Sequence, residues 1–252
     1  MKRILSRVNV EALAQFAWSN VLLAFDFDGT LAPIVANREE ARMRDATSEL
    51  LGRVCALYPC AVISGRSRDD VLRRLNGVGV RYVVGNHGLE PGPHMKAFEA
   101  EIAEVRPLLE RALAGQQGVD VEDKRFSLAV HYRRARRKRD ARRAIHDAVA
   151  TLPYRLRSMP GKLVVNVLPE RAPHKGDALL DLRARTGSDT AIFVGDDSTD
   201  EDVFELDQPG RLLSIRVGSS RSSAAAYCVP GQRDVDALLR RLAQFREKAG
   251  RQ

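Results

Sequence analysis

The sequence predicts an α/β protein: a core with a parallel sheet, interrupted by an inserted α+β domain with an antiparallel sheet. Three observations lead to this prediction. Short continuous apolar runs alternate with helical patterns, the middle of the chain instead contains pairs of partly alternating strands, and the first pattern returns after residue 176. Continuous apolar strands are typical of parallel sheets covered on both faces, and alternating strands are typical of antiparallel sheets.

The first part of the chain carries the α/β pattern. The apolar run VLLAF (21–25) stops at an Asp-Phe-Asp-Gly-Thr turn, as expected for a buried strand that ends at a polar loop. The predicted helices cover 9–19, 44–57 and 69–75. The predicted strands cover 21–25 and 60–64, and residues 81–88 are predicted to form a third strand and the turn after it.

The middle segment changes to a helix followed by two strands, twice over. The predicted helices lie near 97–114 and 138–151, and the predicted strands cover 119–124, 126–133, 154–159 and 162–169. The α/β pattern then returns with a helix at 176–186, strands at 191–195 and 212–217, and a final helix near 233–248. We therefore predict a core of residues 1–93 and 171–252 and an inserted domain of residues 94–170.

Composition excludes several classes of protein. The chain has 252 residues, of which 44% are apolar and 29% charged, so it can bury a sizeable core and is not disordered as a whole. Its three cysteines form no CxxC pair, which argues against a disulfide scaffold or a cysteine-built zinc site. Because polar residues interrupt the N-terminal segment and no apolar run approaches the roughly 20 residues that span a bilayer, we expect a cytoplasmic protein with no membrane partner.

One segment carries nearly all of the surplus positive charge. The formal net charge is +8, and the basic run RRARRKRDARR (133–143) contributes +7, from eight basic residues and one acidic residue. Arginine clusters bind phosphates, so nucleic-acid binding through this run is the alternative from a different functional class. No aromatic residue lies within the run and it falls inside the predicted insert, so we expect no nucleic-acid partner.

Polar residues follow four of the predicted strands. Ligands bind at the carboxyl ends of the strands in open parallel sheets, so we expect these residues to converge. They are Asp26, Asp28 and Thr30, then Ser64 and Arg66, then Asn86, His87 and Glu90, and finally Asp196 and Asp197.

Asp26 and Asp28 are two residues apart, so both carboxylates can reach one site while Phe27 packs away from it. Close carboxylates need a cation or a shared proton, and Mg²⁺ is commonly held by a few carboxylates and a substrate phosphate. One Asp can act as a nucleophile that forms an aspartyl-phosphate, and the other can act as the acid and base. The alternative is an ordinary Asp-Gly turn after a buried strand.

The other polar residues are weaker indications when taken singly. Asp196 and Asp197 would complete a metal site, with Asp200 near enough to orient the ligands, but an acidic helix start would look the same. Ser64 can offer a hydroxyl group, and Lys175 a compact positive charge, to a phosphoryl group. Either of these residues could instead be a helix cap or a surface charge.

Together these segments resemble a known family. DFDGT (26–30), ISGR (63–66), HKG (174–176) and GDDSTDE (195–201) are similar to the four motifs of the haloacid dehalogenase phosphohydrolases. More narrowly, the chain resembles the trehalose-6-phosphate phosphatases in FDFDGTLAPI (25–34), VGNHGLE (84–90), VEDKRFSLAVHYR (121–133) and GKLVVNVLP (161–169). The resemblance extends from about residue 21 to residue 204, in the family's order.

The resemblance implies a Rossmann-like core, a cap formed by the insert, and a role for each matching residue. Asp26 would be the nucleophile, Asp28 the general acid and base, and Ser64 and Lys175 further catalytic residues. The implied metal residues, for Mg²⁺, are Asp26, Asp28, Asp196, Asp197 and Asp200. The implied substrate-binding residues are Thr30, Arg66, Glu90, Lys124, His131, Arg133, Lys162 and Asn166, although spacing alone favours ordinary exposed strand polarity for His131, Arg133 and Lys162.

Two positions depart from the family pattern. The family has an acidic and then a basic residue where this chain has Asn166 and Leu168. We expect Val165 and Val167 to pack into the insert, with Asn166 facing the sugar, so the departure bears on sugar selectivity rather than on phosphoryl transfer.

The resemblance implies a Mg²⁺-dependent phosphatase that hydrolyses trehalose 6-phosphate to trehalose and phosphate. We expect a monomer or weak oligomer whose partner is a small sugar phosphate; a phosphatase for another sugar or glycoside phosphate is the alternative.

The basic run is predicted to steer the dianionic substrate electrostatically. Changing Arg136, Arg137 and Arg139 to glutamine should lower kcat/KM mainly at low salt, because exposed charges act over longer distances when they are less screened. Steady-state kinetics at several ionic strengths test this. A kcat/KM that matches the wild type at every ionic strength would contradict steering.

Overall fold

In the computed structural model, which describes residues 1–35, 37–206 and 208–249, the chain forms two compact units. The first unit consists of Met1–Gly88 and His174–Gln252, and the second consists of Leu89–Pro173. No helix within the described residues is long and apolar enough to cross a membrane.

The helices and strands follow one another closely along the chain. The first unit begins with β1 (Lys2–Arg3), α1 (Val10–Trp18), β2 (Val21–Phe25), α2 (Asp45–Leu57), β3 (Cys60–Ile63), α3 (Arg68–Leu75) and β4 (Tyr82–Val84). The second unit contains α4 (Met95–Leu113), β5 (Asp120–Asp123), β6 (Leu128–His131), α5 (Lys138–Thr151), β7 (Leu156–Gly161) and β8 (Val164–Pro169). The first unit resumes with α6 (Lys175–Thr186), β9 (Thr190–Gly195), α7 (Glu201–Phe204), β10 (Leu212–Val217), β11 (Tyr227–Val229) and α8 (Val235–Ala249).

The first unit is built on a parallel sheet. In the described part of the chain, seven strands pair in the order β1-β11-β10-β9-β2-β3-β4, all of them parallel. Alternate residues of the central strands belong to two different apolar clusters. Leu23 and Phe25 of β2 share one cluster with residues of α1, α2 and α8, whereas Leu22 and Ala24 share the other with residues of α6 and α7. Burial on both faces explains why the strands are continuous apolar runs.

The second unit is built on an antiparallel sheet of strand order β5-β6-β8-β7. Val165 and Val167 of β8 lie on the face covered by α4 and α5, as the sequence predicted. Asn166 and Leu168 lie on the opposite face, where Leu168 packs in a smaller apolar cluster with Phe98 and others. A parallel α/β unit and an antiparallel α+β unit confirm the predicted fold class.

Two short strands at one side of the parallel sheet were missing from the sequence-based prediction. β1 has two residues and β11 has three, and they extend the parallel sheet beyond β10. Segments this short carry no hydrophobic period, so their strand character depends on a neighbour that supplies hydrogen bonds.

The sheet order sets where the polar strand ends lie. β10, β9, β2, β3 and β4 are consecutive neighbours and parallel, so their carboxyl ends share one edge of the sheet. The backbone pairing continues just beyond the strands, since Asp26 N–H donates to the carbonyl of Val194 at 2.8 Å and Ser64 N–H donates to that of Val84 at 2.9 Å. The polar residues after these strands are therefore neighbours in space.

Candidate active site

A buried ammonium group joins two carboxylates at the carboxyl edge of the parallel sheet. Lys175 Nζ donates to Asp26 Oδ1 at 2.8 Å and to Asp200 Oδ1 at 2.7 Å. None of the three residues is more than 4% exposed, so the ion pairs are shielded from water. Asp26 comes directly after β2, Lys175 begins α6 and Asp200 lies in the loop after β9, so three distant segments meet here.

The start of α6 holds Lys175 in place. His174 is the N-cap residue, and its Nδ1 accepts from the N–H groups of Gly176 and Asp177 at 3.1 and 3.2 Å. Asp177 in turn accepts from the backbone N–H of His174 at 3.0 Å, which completes a reciprocal cap. The position of the first residue of α6, Lys175, is therefore set by the helix terminus.

Asp200 also organises the loop that carries Asp196. Its Oδ2 accepts from the backbone N–H groups of Asp196 at 2.8 Å and Asp197 at 2.9 Å. The side chain of Asp197 accepts from Ser198 N–H at 2.7 Å and caps the short helical turn that follows. As a result the carboxylate of Asp196, and not that of Asp197, joins the cluster with Asp26 and Asp200.

Two glycines make room for this cluster. A Cβ on Gly29 would lie 2.1 Å from Asp196 Oδ2, and Gly29 has a φ of +86°, a conformation that residues with a side chain seldom adopt. A Cβ on Gly195 would lie 2.3 Å from Asp200 Cγ. The carboxylates of Asp196 and Asp200 thus occupy space that only glycine leaves open.

Burial and mutual repulsion control the ionisation of the cluster. Burial raises the pKa of Asp26 well above its usual value, because the opposing charge of Lys175 is outweighed by burial together with the charges of Asp200 and Asp196. Burial and the charges of Asp200 and Asp197 raise the pKa of Asp196 to about 7. Burial opposes the charged form of Lys175, but Asp200 and Asp26 overcome it and raise the pKa of that ammonium above its ordinary value. One cation therefore faces an excess of acidic groups.

The donor set fits a small divalent cation. Asp26, Asp196 and Asp200 each offer an oxygen atom, and these oxygens lie within 4.8 Å of one another. Mg²⁺ takes hard oxygen ligands and is usually held by one or two carboxylates. Both oxygens of Asp200 already accept hydrogen bonds, so Asp26 and Asp196 are the better ligands, with Asp200 orienting them.

Asp28 pairs with an arginine and is not part of the group formed by Asp26, Asp196 and Asp200. Arg66 donates to both oxygens of Asp28, from Nε at 2.6 Å and from Nη2 at 2.7 Å. Its remaining nitrogen, Nη1, donates to Asp70 at 2.7 Å, and Asp70 is in turn held by Arg74 at 2.8 Å. Burial alone would raise the pKa of Asp70, but these two arginines outweigh burial and lower that pKa to about 2. The second predicted acid of the DFDGT motif thus belongs to an ion-pair network.

The two predicted hydroxyl groups lie at the same edge of the sheet. Thr30 is fully buried and its hydroxyl group is 3.5 Å from Asp196 Oδ1, at the outer limit of a hydrogen bond. Ser64 is 1% exposed, and its Oγ accepts from the backbone N–H of Arg66 at 3.2 Å. Gln232, a residue that sequence reasoning missed, donates to the carbonyls of Thr30 and Leu31 and so fixes the turn that carries Thr30.

The turn after β4 packs against the segment that carries Ser64. Asn86 and His87 are buried and have φ values of 48° and 59°, which is uncommon for residues other than glycine. Their N–H groups donate to the carbonyls of Arg66 and Ser64 at 2.7 and 2.9 Å. A Cβ on Gly65 would lie 2.4 Å from His87 Cε1, so the imidazole rests on this glycine.

The second unit carries the remaining predicted residues. His131 and Asn166 lie on the sheet face opposite α4 and α5, and Asn166 is only 5% exposed. His131 Nε2 lies 2.8 Å from Glu122 Oε2. Arg133 and Lys162 are exposed at one end of the sheet, whereas Lys124 lies beyond β5 at the other end, so these three are not brought together. Glu90 is partly exposed and precedes Pro91.

The raised pKa values predict that the protein without metal loses stability as the pH rises. Asp26 and Asp196 bind protons more tightly in the folded state than in the unfolded chain. The stability these protons contribute is complete below the ordinary aspartate pKa of about 4 and is lost as the pH rises through about 7 for Asp196. Urea unfolding in EDTA should therefore show a lower midpoint at pH 8 than at pH 6, roughly the window of this titration.

Asp196→Asn supplies the control, because an amide cannot take up the proton. Its unfolding midpoint should depend less on pH than that of the wild type over the same window. Added Mg²⁺ should stabilise the wild type more at the higher pH, since metal binding needs ionised carboxylates. Equal pH dependence in the wild type and the variant would contradict the assignment to Asp196.

Proteins similar in sequence to this chain come from one family. The family model described as Trehalose-phosphatase matches residues 24–240. A trehalose-phosphate phosphatase of Mycobacterium tuberculosis is 37% identical over 243 residues, covering 88% of this chain and 61% of its own length. A probable trehalose-phosphate phosphatase 4 of rice is 31% identical over 258 residues, covering 95% of this chain and 70% of its own length. The chain thus spans about three fifths of the length of the mycobacterial relatives.

Solved structures show the same fold. The C-terminal domain of a trehalose-6-phosphate phosphatase of C. albicans superposes with a TM-score of 0.79 at 22% identity, covering 97% of this chain and 98% of that one. A sucrose-phosphatase of a Synechocystis species gives a TM-score of 0.58 at 18% identity, over 90% and 98% of the two chains. The fold is therefore the haloacid dehalogenase type, with an α+β cap domain inserted in the α/β core. The family match covers both units, from the acids after β2 to α8, and this chain belongs to the trehalose-phosphatase family.

Proposed function

We propose that this protein is a Mg²⁺-dependent phosphomonoester hydrolase that converts trehalose 6-phosphate to trehalose and phosphate. One observation carries the proposal: in a chain of the trehalose-phosphatase family, Asp26 lies beside Lys175 and in one carboxylate cluster with Asp196 and Asp200. This arrangement supplies a nucleophile, a fixed positive charge and a place for a divalent cation at one edge of the sheet.

Asp26 is the proposed nucleophile. Its carboxylate attacks phosphorus, the bond between phosphorus and the sugar oxygen breaks, and an aspartyl-phosphate forms. Asp28 gives a proton to the departing sugar oxygen, then removes one from the water that attacks the aspartyl-phosphate and releases phosphate and Asp26. Lys175 holds Asp26 at 2.8 Å, and Thr30 and Ser64 are proposed to donate to the phosphoryl oxygens.

Asp26 and Asp196 are the proposed direct ligands of Mg²⁺, with Asp200 orienting the loop and Asp28 contributing its backbone carbonyl. When bound, the ion supplies positive charge that offsets the negative charge of the phosphoryl group and of the acids around it. It also favours the ionised form of Asp26, whose raised pKa otherwise opposes nucleophilic attack. The side chain of Asp197 serves the loop as a cap in this proposal.

Arg66 has a double assignment in this proposal. We assign it to substrate binding, yet its guanidinium is engaged by Asp28 and Asp70. We propose that Arg66 reaches a substrate oxygen by exchanging Asp28 for it. Such an exchange would also leave Asp28 able to approach the departing sugar oxygen.

Sugar recognition is assigned to the cap, for which we propose residues 94–170, with residues 1–93 and 171–252 as the catalytic core. The proposed sugar-binding residues are Glu90, just before the cap, and, within it, Lys124, His131, Arg133, Lys162 and Asn166. The common sheet face of His131 and Asn166 supports this assignment for those two residues. Asn166 is neutral where the family has an acid, so its hydrogen bonds to hydroxyl groups should be weaker than those of a carboxylate.

A phosphate-release assay on the full chain tests the function. The substrates are trehalose 6-phosphate, sucrose 6-phosphate, glucose 6-phosphate and nitrophenyl phosphate, each with Mg²⁺ and with EDTA. We expect the highest kcat/KM for trehalose 6-phosphate and no turnover in EDTA. A higher kcat/KM for another sugar phosphate would establish the alternative, a phosphatase for a different sugar, and activity that persists in EDTA would overturn the metal requirement.

The nucleophile assignment predicts that Asp26→Asn abolishes turnover while the fold persists. An amide is a poor nucleophile and a weaker metal ligand, so the rate should fall more than about a hundredfold, equivalent to ~2.7 kcal/mol of barrier. Asp28→Asn should also fail on trehalose 6-phosphate, but it should retain more activity on nitrophenyl phosphate, whose leaving group needs no proton.

The matched control is Asp181→Asn, which changes an exposed acid of α6 paired with Arg185. Its kinetics should equal those of the wild type. Circular dichroism checks that all three variants fold. An Asp26→Asn variant that keeps more than about a hundredth of the wild-type rate would rule out Asp26 as the nucleophile.

Three further predictions concern the state of the protein in the cell. We propose a cytoplasmic monomer or weak oligomer with no nucleic-acid partner. The free thiols of Cys55, Cys60 and Cys228 are in keeping with a reducing compartment. Size-exclusion chromatography with light scattering tests the oligomeric state, and a gel shift at several salt concentrations tests nucleic-acid binding, because phosphate contacts depend steeply on salt.

A further inference from the structure

Arg216 contacts the backbone of the loop that carries the acids of the proposed metal site. It lies near the carboxyl end of β10, in register with Gly195 of β9. Its guanidinium donates to the backbone carbonyl of Asp196 and, at 3.4 Å, to that of Asp197. The same group pairs with Glu201 at 2.8 Å. One arginine thus spans the first two residues of the loop and the start of the helix that follows it.

Glu201 fixes the orientation of Arg216. One carboxylate oxygen accepts from Arg216, and the other accepts from the backbone N–H of Ala224 at 2.9 Å. The side chains of Arg216 and Glu201 are 15% and 20% exposed, so the pair is largely protected from water. The arginine is therefore held by α7 and by the segment before β11, in addition to its own strand.

Asp200 and Arg216 together restrain the backbone of the loop after β9, Asp200 through N–H groups and Arg216 through carbonyls. Asp200 Oδ2 accepts from the N–H groups of Asp196 and Asp197, and Arg216 donates to the carbonyls of the same two residues. This matters because Asp196 must stay close to Asp26 and Asp200, which repel it. A loop without these restraints could relieve the repulsion by turning Asp196 outward.

We propose that Arg216 is a positioning residue, which fixes Asp196 so that the carboxylate cluster can bind a divalent cation. The inference rests on the proposed metal site of this protein. It assigns no contact with substrate to Arg216. Groups that orient metal ligands in this way typically change metal affinity by about 10- to 100-fold when they are removed.

Titration calorimetry with Mg²⁺ on the full chain tests the proposal without any use of activity. Arg216→Met keeps the aliphatic stem and removes the donors, and it should weaken Mg²⁺ binding at least about tenfold. Arg216→Lys keeps the charge with a smaller set of donors and should recover part of that loss. The matched control is Arg246→Met, which removes another partly buried arginine that donates to a backbone carbonyl, that of Ser19 near the opposite edge of the sheet, and should bind Mg²⁺ like the wild type.

Glu201→Gln tests the same proposal with Arg216 itself unchanged. Since the change replaces an ion pair with a hydrogen bond from the Arg216 guanidinium to a neutral amide, we expect Mg²⁺ affinity to fall roughly threefold to fivefold. This variant decides the question if Arg216→Met does not fold.

The outcomes separate this inference from the proposed function. Wild-type Mg²⁺ affinity in Arg216→Met, or in Glu201→Gln if that is the variant that folds, overturns the positioning role, whatever the enzyme hydrolyses. An equal loss in Arg246→Met also overturns it, because the effect would then be general destabilisation. Weaker binding in the Arg216 and Glu201 variants alone supports the role even if trehalose 6-phosphate proves to be a poor substrate. A wild-type chain that does not bind Mg²⁺ overturns both proposals.

Discussion

The ion pairs that Lys175 makes with Asp26 and Asp200 are the interaction on which the rest of the site depends. An ammonium and two carboxylates buried to this degree are tolerated only because each satisfies the others, and removing one partner of such a group typically costs about 3–5 kcal/mol. Lys175 connects the strand end at Asp26, the first turn of α6 and the loop after β9. Because Asp200 also binds two N–H groups of that loop, the ammonium indirectly fixes Asp196 as well.

The charge balance of the cluster explains why it is suited to a cation. A carboxylate beside an ammonium ordinarily has a lowered pKa, yet the pKa of Asp26 is raised, because burial and two further acids outweigh Lys175. The cluster therefore contains more acidic groups than Lys175 can balance, in a place that water reaches poorly. A divalent ion relieves the repulsion between the acids, and the glycines at 29 and 195 keep the space in which the acids can approach it.

The topology allows these constraints to coexist with an inserted domain. Parallel neighbours place the polar ends of β2, β3, β4 and β9 on one edge, so the sheet itself supplies the convergence. The chain leaves the first unit after Gly88 and returns at His174, and these residues are in contact: a Cβ on Gly88, which has a φ of +116°, would lie 2.4 Å from the carbonyl oxygen of His174. The insertion therefore begins and ends next to Lys175, the first residue of α6. The parallel sheet is complete without the inserted segment.

The fold class, the strands longer than three residues and the neighbourhood of the site could all be predicted from the residues alone, because buried parallel strands must be continuous apolar runs and their polar ends must share an edge. Which acids face one another depends on contacts between distant parts of the chain. Asp28 turns to Arg66, which is 38 residues away, and Asp26 to Lys175, which is 149 residues away, so no local pattern could distinguish the two carboxylates of DFDGT. Arg216 and Gln232 belong to no motif and are recognised only by the carbonyls they hold. The short strands β1 and β11 likewise exist because neighbouring strands supply their hydrogen bonds, and a segment of two or three residues cannot specify such a partner alone.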